Sequence, residues 1–311
     1  MKNKYIIGID LGGTNLKIAL FDRSFRFKAR KLLPTKDFYT PASLIAAITE
    51  GVRSIIKNNS LKPADILGIG LGLPGPIDIK KGLVHFFPNI PGWVDVPLQK
   101  ILRNKTGFPV FIDNDANLMC LAEFKLGAAR GAKNAVCLTL GTGVGGGLII
   151  EGKLYRGSSF AAGEIGHMPI NENGPACNCG GLACLESYIG NSRIAARVRK
   201  VFKKDILLED LSRMAYKNNK KAIKIWEDAG SKLGLALVSV TNLLNPDRIV
   251  IGGGVADAGR VLFDKVEETL ITRAMVVQAK EVKVLKAKLG NDAGMLGAAL
   301  LVKERIGGRQ E

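Results

Sequence analysis

The chain of 311 residues has no long apolar run. Its longest, Ala135 to Ile150, covers 16 residues and is broken around Gly141-Thr142-Gly143, short of the roughly 20 apolar residues that a membrane helix needs. No membrane partner is expected. There is no sign of a leader: the apolar stretch Tyr5-Ile6-Ile7-Gly8-Ile9 stops at Asp10, too short for the core of a signal peptide, so a cytoplasmic location is expected. Cysteine is scarce and odd in number, five in all, with Cys177, Cys179 and Cys184 inside eight residues. That pattern argues against a disulfide framework; Cys120 and Cys137 stand among apolar neighbours and read as core. No Gly-Lys-Ser/Thr phosphate loop occurs. Acidic residues are few, 28 against 45 Lys and Arg, for a net charge of +17. Such a charge suits nucleic acid, a membrane surface or an anionic small substrate. The bases are dispersed in segments such as Arg26-Phe27-Lys28-Ala29-Arg30-Lys31 and Arg197-Val198-Arg199-Lys200, which reads as a solvated surface rather than a nucleic-acid footprint.

What is plentiful is glycine, 37 residues, together with enough apolar content, 47%, to bury a core about two domains in size. Residues 5–10 and 16–22 are short apolar runs around Gly12-Gly13-Thr14 and predict a strand–turn–strand hairpin. The design returns at 135–150, where Ala-Val-Cys-Leu-Thr-Leu leads through Gly141-Thr-Gly-Val-Gly-Gly-Gly147 into Leu148-Ile149-Ile150. Two echoes about 130 residues apart suggest two similar lobes. Helices are predicted over 41–57, 116–126, 191–203, 220–244 and 292–306, and strands over 66–71, 109–113 and 248–251. This alternation predicts an α/β fold, with the last helix crossing back to the first lobe.

Asp10 at a strand end beside Gly12, Gly13 and Thr14 sets a carboxylate next to backbone amides that glycine leaves open to a phosphate. Gly141-x-Gly143-x-x-Gly146 and Gly70-x-Gly72-x-x-Gly75 match the dinucleotide spacing, but one runs into a strand and the other contains Pro74 and Pro76. Neither opens a helix, as that site requires. Asp113-Asn114-Asp115-Ala116-Asn117 follows a strand and opens a helix, so a carboxylate there is either the N-cap or a base that takes a proton from an attacking hydroxyl, with Asn114 orienting the substrate. His167 with Cys177, Cys179 and Cys184 provides one imidazole and three thiolates in 18 residues, the donor set of a closed, structural zinc site. Glu164 and Glu186 bracket that cluster and, with Asn89, offer the carboxylates and amide that sugar hydroxyls bind. His85 has no evident partner.

In order, Asp10-Leu-Gly-Gly-Thr14, Gly72-Leu-Pro-Gly-Pro76, Pro88-Asn89-Ile90, Asn114-Asp115-Ala116-Asn117, Gly141 to Gly147, Glu164-Ile-Gly-His167 and Cys177-Asn-Cys-Gly-Gly-Leu-Ala-Cys-Leu-Glu186 resemble the ROK sugar kinases, and the likeness extends to Gly290-Asn-Asp-Ala-Gly-Met-Leu-Gly297. The resemblance implies a two-lobed, actin-like, hexokinase-type (ribonuclease H-like) α/β fold, with ATP and Mg²⁺ as donor system and a hexose, glucose first, phosphorylated on its 6-hydroxyl. It makes Asp115 the general base and Gly75, Asn89, Asn114, Glu164, His167 and Glu186 the sugar contacts. Asp10, Gly12, Gly13, Thr14 and Asn15 become the first phosphate loop, Gly141, Thr142, Gly143, Gly145 and Gly146 the second, and Gly253 and Gly254 the adenosine side. His167 is also implied as fourth zinc ligand. Ala183 departs from the glycine usual in the family's zinc loop. The lobes are expected at 1–115 plus 298–311 and at 116–297, in a homo-oligomer, dimer or tetramer. Kinases of N-acetylmannosamine, N-acetylglucosamine or fructose and a sugar-sensing binding protein are the alternatives. The family's repressors carry a DNA-binding segment ahead of the first loop; only four residues precede Tyr5, so no nucleic-acid partner is expected.

Overall fold

The computed structural model describes residues 4–87, 90 and 92–307. They form two compact units: the first holds the chain up to Ala122, Arg156–Ala162 and the chain from Asn291 onward, and the second holds Glu123–Tyr155 and Gly163–Gly290. Boundaries were expected at 115/116 and 297/298. They fall instead inside a helix and ahead of the last one, and the short return of the chain to the first unit at Arg156 has no counterpart in the sequence pattern.

The first unit is built on β1 (Tyr5–Leu11), β2 (Asn15–Asp22), β3 (Phe27–Pro34), α1 (Pro41–Asn58), β4 (Ile66–Leu73), β5 (Ile77–Asp78), β6 (Leu83–Phe86), β7 (Val94–Val96), α2 (Leu98–Thr106), β8 (Val110–Asn114) and the start of α3 (Asp115–Leu126). Its main sheet runs β3-β2-β1-β4-β8, with β5-β6-β7 as a small separate sheet. β4 pairs in parallel with both β1 and β8, whereas β2 and β3 fold back antiparallel. The α1 start follows from its sequence: Pro41 stands at the first turn and Thr40 and Ser43 form a reciprocal capping box. Leu44, Ile48, Val52 and Ile55 then bury one face of that helix in the core with Ile7, Ile9 and Ile18 of the sheet.

The second unit comprises β9 (Ala135–Leu140), β10 (Val144–Ile150), β11 (Lys153–Tyr155), α4 (Glu186–Ile189), α5 (Asn191–Phe202), α6 (Leu208–Tyr216), α7 (Lys220–Leu244), β12 (Arg248–Gly252), α8 (Arg260–Arg273), α9 (Val276–Glu281) and β13 (Lys283–Lys286). Its sheet order is β11-β10-β9-β12-β13. An antiparallel meander of three strands followed by two parallel ones repeats the directions of the first sheet strand for strand. The duplication suggested by two glycine hairpins is thus a duplication of sheet topology. One detail differs from expectation: the turn after β9 is confined to Gly141–Gly143, and Gly145 and Gly146 lie within β10, opposite Thr139 and Leu138.

The chain ends in α10 (Ala293–Gly307), which belongs to the first unit and packs on β1, β4 and β8. The contact is closer than side chains allow. A Cβ on Gly70 would lie 1.9 Å from the Ala298 carbonyl oxygen, and one on its neighbour Gly8 would lie 2.2 Å from that of Met295. Substituting Gly70→Val should therefore lower stability by about 3 kcal/mol, the upper part of the usual overpacking range, read as a reduced denaturation midpoint in urea.

Candidate active site

In the first unit the corner between β8 and α3 carries two aspartates with opposite fates. Asp113 is 1% exposed. Its Oδ2 accepts from Nε and Nη2 of Arg156 at 2.8 and 2.7 Å, and its Oδ1 accepts from the Asn114 N–H at 2.9 Å and from Asn117 Nδ2 at 3.2 Å. Asp115, the first residue of α3, is partly exposed. Asp115 Oδ1 shares the Ala116 N–H at 2.9 Å, but the residue that caps the helix is neither aspartate. It is Asn114, whose Oδ1 accepts from the N–H groups of Ala116 and Asn117 at 2.9 and 3.2 Å, so any role of Asn114 toward a ligand falls to its amide nitrogen. Asp115 stands in the first turn of α3, at the positive end of the helix dipole.

The first glycine turn, also in this unit, is less open than expected. The Gly12 N–H donates to the Asn15 carbonyl at 2.9 Å, and the Gly12 carbonyl accepts from the Thr35 hydroxyl at 2.8 Å. Gly12 is therefore occupied in closing the turn, and the exposed Gly13 and Thr14 form its tip. Asp10, at the end of β1, pairs with Lys17 Nζ at 3.0 Å across the hairpin, and Lys17 also reaches the Asn291 carbonyl at 3.3 Å. The start of α10 closes on the same carboxylate, since a Cβ on Gly294 would lie 2.5 Å from Asp10 Cγ. Gly75 has φ +89° and faces the Phe86 carbonyl, so the fold itself requires glycine there. Asn89 lies outside the described residues.

In the second unit the turn Gly141–Gly143 is closed by the Gly141 N–H on the Gly143 carbonyl at 2.9 Å, and Thr142 is exposed at its tip. Glu186, at the start of α4, does more than border the histidine–cysteine cluster. Its Oε2 accepts from the Val144 N–H at 2.8 Å and sits where a Cβ on Gly143 would come within 2.6 Å. Gly253, with φ +86°, lies against the backbone of Leu140, while Gly254 opens on free space.

His167, Cys177, Cys179 and Cys184 converge in the second unit, each offering one ligand atom within 4.8 Å of the others. Cys177 Sγ is 3.7 Å from His167 Nδ1, and Cys179 Sγ is 3.7 Å from Cys184 Sγ. Sulfurs about 2.3 Å from a tetrahedral zinc stand about 3.8 Å apart, so the spacing and donor set fit such an ion. Burial opposes ionisation of Cys177, but hydrogen bonding from the Cys179 backbone, Ser187 and the neighbouring Cys179 and His167 side chains brings its thiol down to about 6. Burial, reinforced by Cys179 and Cys177, pushes Cys184 up to about 12. His167 Nε2 lies 3.9 Å from Glu164 Oε2, so the carboxylate stands beside the imidazole without a hydrogen bond to it. Ala183 is buried with φ +55°, a left-handed conformation that costs glycine nothing.

The ROK family pattern matches residues 6–305. A curated glucokinase from Halalkalibacterium halodurans is 35% identical over 98% of this chain and 97% of its own length. The solved ROK hexokinase from Thermus thermophilus superposes with a TM-score of 0.84 at 32% identity, covering 98% of this chain and 99% of that one. The ROK family glucokinase from Streptomyces griseus, solved in complex with glucose and AMPPNP, superposes with a TM-score of 0.83 at 29% identity over 96% and 99%. The chain belongs to the ROK family. Its fold is accordingly the two-lobed, actin-like one of the ROK hexokinases.

Within this ROK chain, sequence reasoning missed Lys17 and Arg156. Lys17 was within reach, because hairpin register alone sets it opposite Asp10. Arg156 was not, because nothing local links it to a residue 43 positions earlier. The remaining histidine, His85, pairs with Asp95 at 2.5 Å, both exposed. The Asn114 cap can be checked directly: Asn114→Ala should cost about 1 kcal/mol of unfolding free energy in denaturant titration, whereas Asn114→Ser, which retains an acceptor, should cost a few tenths.

Proposed function

We infer that the chain transfers the γ-phosphoryl group of ATP to the 6-hydroxyl of a hexose, glucose being the substrate. The observation that carries this reading is the nearly full-length likeness to glucokinases in a chain that keeps Asp115 at a helix start, where Asp113 is closed off by Arg156. Asp115 takes the proton of the 6-hydroxyl as its oxygen attacks the γ-phosphorus. A new oxygen–phosphorus bond forms, the bond to ADP breaks with its electron pair going to ADP, and the proton passes from Asp115 to solvent. Asn114, through its amide nitrogen, and Asn89 and Gly75 are the sugar contacts of the first unit, with Glu164, His167 and Glu186 those of the second. Glu186 has a second task, bracing the Val144 amide beside the turn.

The tips Gly13-Thr14 and Thr142-Gly143 receive the phosphates, with Asp10, Gly12, Asn15, Gly141, Gly145 and Gly146 shaping the two loops and Gly253 and Gly254 facing the adenosine. Mg²⁺ brought with the nucleotide would offset phosphate charge and would ask the protein for few carboxylates; Asp10, which is paired with Lys17, is the first-loop carboxylate that would serve it. His167, Cys177, Cys179 and Cys184 hold a structural zinc, which holds the segment between Glu164 and Glu186 in shape. The reaction belongs in the cytoplasm. Among the described residues no helix is long and apolar enough to cross a membrane. Self-association is part of this reading: Leu243, Ile271, Met275, Val276 and Val277 expose 61 to 81% of their surface at one end of the second unit, where the Met275 N–H docks on Asn242.

Two outcomes test this reading. Asp115→Asn should lower turnover about 10²–10⁴-fold in a coupled ADP-release assay while glucose binding, followed by calorimetry, persists; wild-type turnover would remove Asp115 as base. Metal analysis should find one zinc per chain, and chelation should raise the glucose concentration for half-saturation far more than that of ATP. Absence of stoichiometric metal, or normal sugar affinity in Cys179→Ser, would reduce the cluster to free thiols.

A further inference from the structure

We propose that Arg156 is a positioning residue for the phosphoryl transfer, holding the Asn114–Asp115 corner in place by its grip on buried Asp113. The proposal rests on Asp115 as the base. Its ground is geometric. The chain leaves the second unit after Tyr155, joins the first for seven residues, Arg156 to Ala162, and returns at Gly163. The first residue of that excursion is the one whose guanidinium meets Asp113, with two nitrogens on a single carboxylate oxygen at 2.8 and 2.7 Å. The excursion also folds back on itself, the Ala162 N–H donating to the Arg156 carbonyl at 3.0 Å.

The other oxygen of Asp113 is the lever. It accepts from the backbone N–H of Asn114 and from the side chain of Asn117. Asn114 and Asn117 flank Asp115 in sequence, and Asn114 caps α3. Asp113 thus ties the last peptide of β8 to the first turn of α3, with Asp115 between. Burying a carboxylate this deeply is costly unless a cation and hydrogen-bond donors satisfy its lone pairs. Arg156 supplies both, with its own side chain 18% exposed. Lysine keeps the charge but lacks the planar fork that places two donors on one oxygen. Without the fork the corner relaxes. As the base, Asp115 acts on the hydroxyl in the transition state, so misplacement by about 1 Å acts on turnover rather than on sugar binding.

The test uses the full-length protein as Arg156→Ala, Arg156→Lys and, in parallel, Asp115→Asn, with turnover expressed per folded molecule from thermal unfolding of the same samples. Arg156→Ala should lose about 30- to 100-fold in kcat with the KM for glucose within about threefold of wild type; Arg156→Lys should fall between. Added guanidinium should restore part of the Arg156→Ala turnover and leave Asp115→Asn unchanged. Wild-type kcat per folded molecule in Arg156→Ala, or a loss accounted for by the unfolded fraction alone, overturns the proposal. If Arg156→Ala does not fold, Arg156→Lys decides: wild-type kcat there overturns the proposal, and a lowered kcat at unchanged KM supports it. An active Asp115→Asn would instead overturn the base, whatever Arg156 does.

Discussion

The packing of α10 against the first unit is the contact on which the rest of that unit depends. Each point of approach requires a missing side chain: Gly8 on β1 meets the Met295 carbonyl, Gly70 on β4 meets that of Ala298, Gly294 leaves room for the Asp10 carboxylate, and Gly297 lies against the Leu118 backbone of α3. One helix, contributed by the last part of the chain, therefore sets the spacing of the two central strands, the surroundings of the first-loop aspartate and the seat of the helix that starts at Asp115. Close-packed interiors transmit displacements of this size because no void absorbs them.

The second unit solves an analogous problem with chemistry as well as packing. Its sheet repeats the strand order and directions of the first, and again a glycine turn follows the leading strand. That turn is closed by the Gly141 N–H on the Gly143 carbonyl and braced at its exit by a carboxylate, Glu186, accepting from the Val144 N–H. Glu186 directly follows the Cys184-Leu185 step that closes the thiol cluster, so the geometry of a metal-sized donor set and that of a backbone turn are joined through two residues of chain. Elsewhere the excess of positive charge is dispersed. Surface pairs such as Lys28–Asp22, Arg30–Asp292 and Lys286–Asp257, partly or fully exposed, occupy scattered bases, and interactions of this kind contribute little to stability in water.

The repeated hairpins, the α/β alternation, the start of α1 at Thr40-Pro41, the end of α7 before Asn245-Pro246 and the return of the last helix to the first unit were legible in the order of residues, because each rests on periodicity, capping or turn chemistry within a few positions. So was the donor set of His167 and the three cysteines, which is compact in sequence. The tertiary structure alone decided which of Asp113 and Asp115 is sealed, since that depends on Arg156, 43 residues away in sequence. It also decided that Asn114 rather than an aspartate caps α3, that Gly12 closes its own turn, and that Gly145 and Gly146 belong to a strand. Local sequence specifies which groups can donate and accept; which of them meet is settled by long-range packing, where burial makes an unpaired charge costly and leaves few arrangements to choose among.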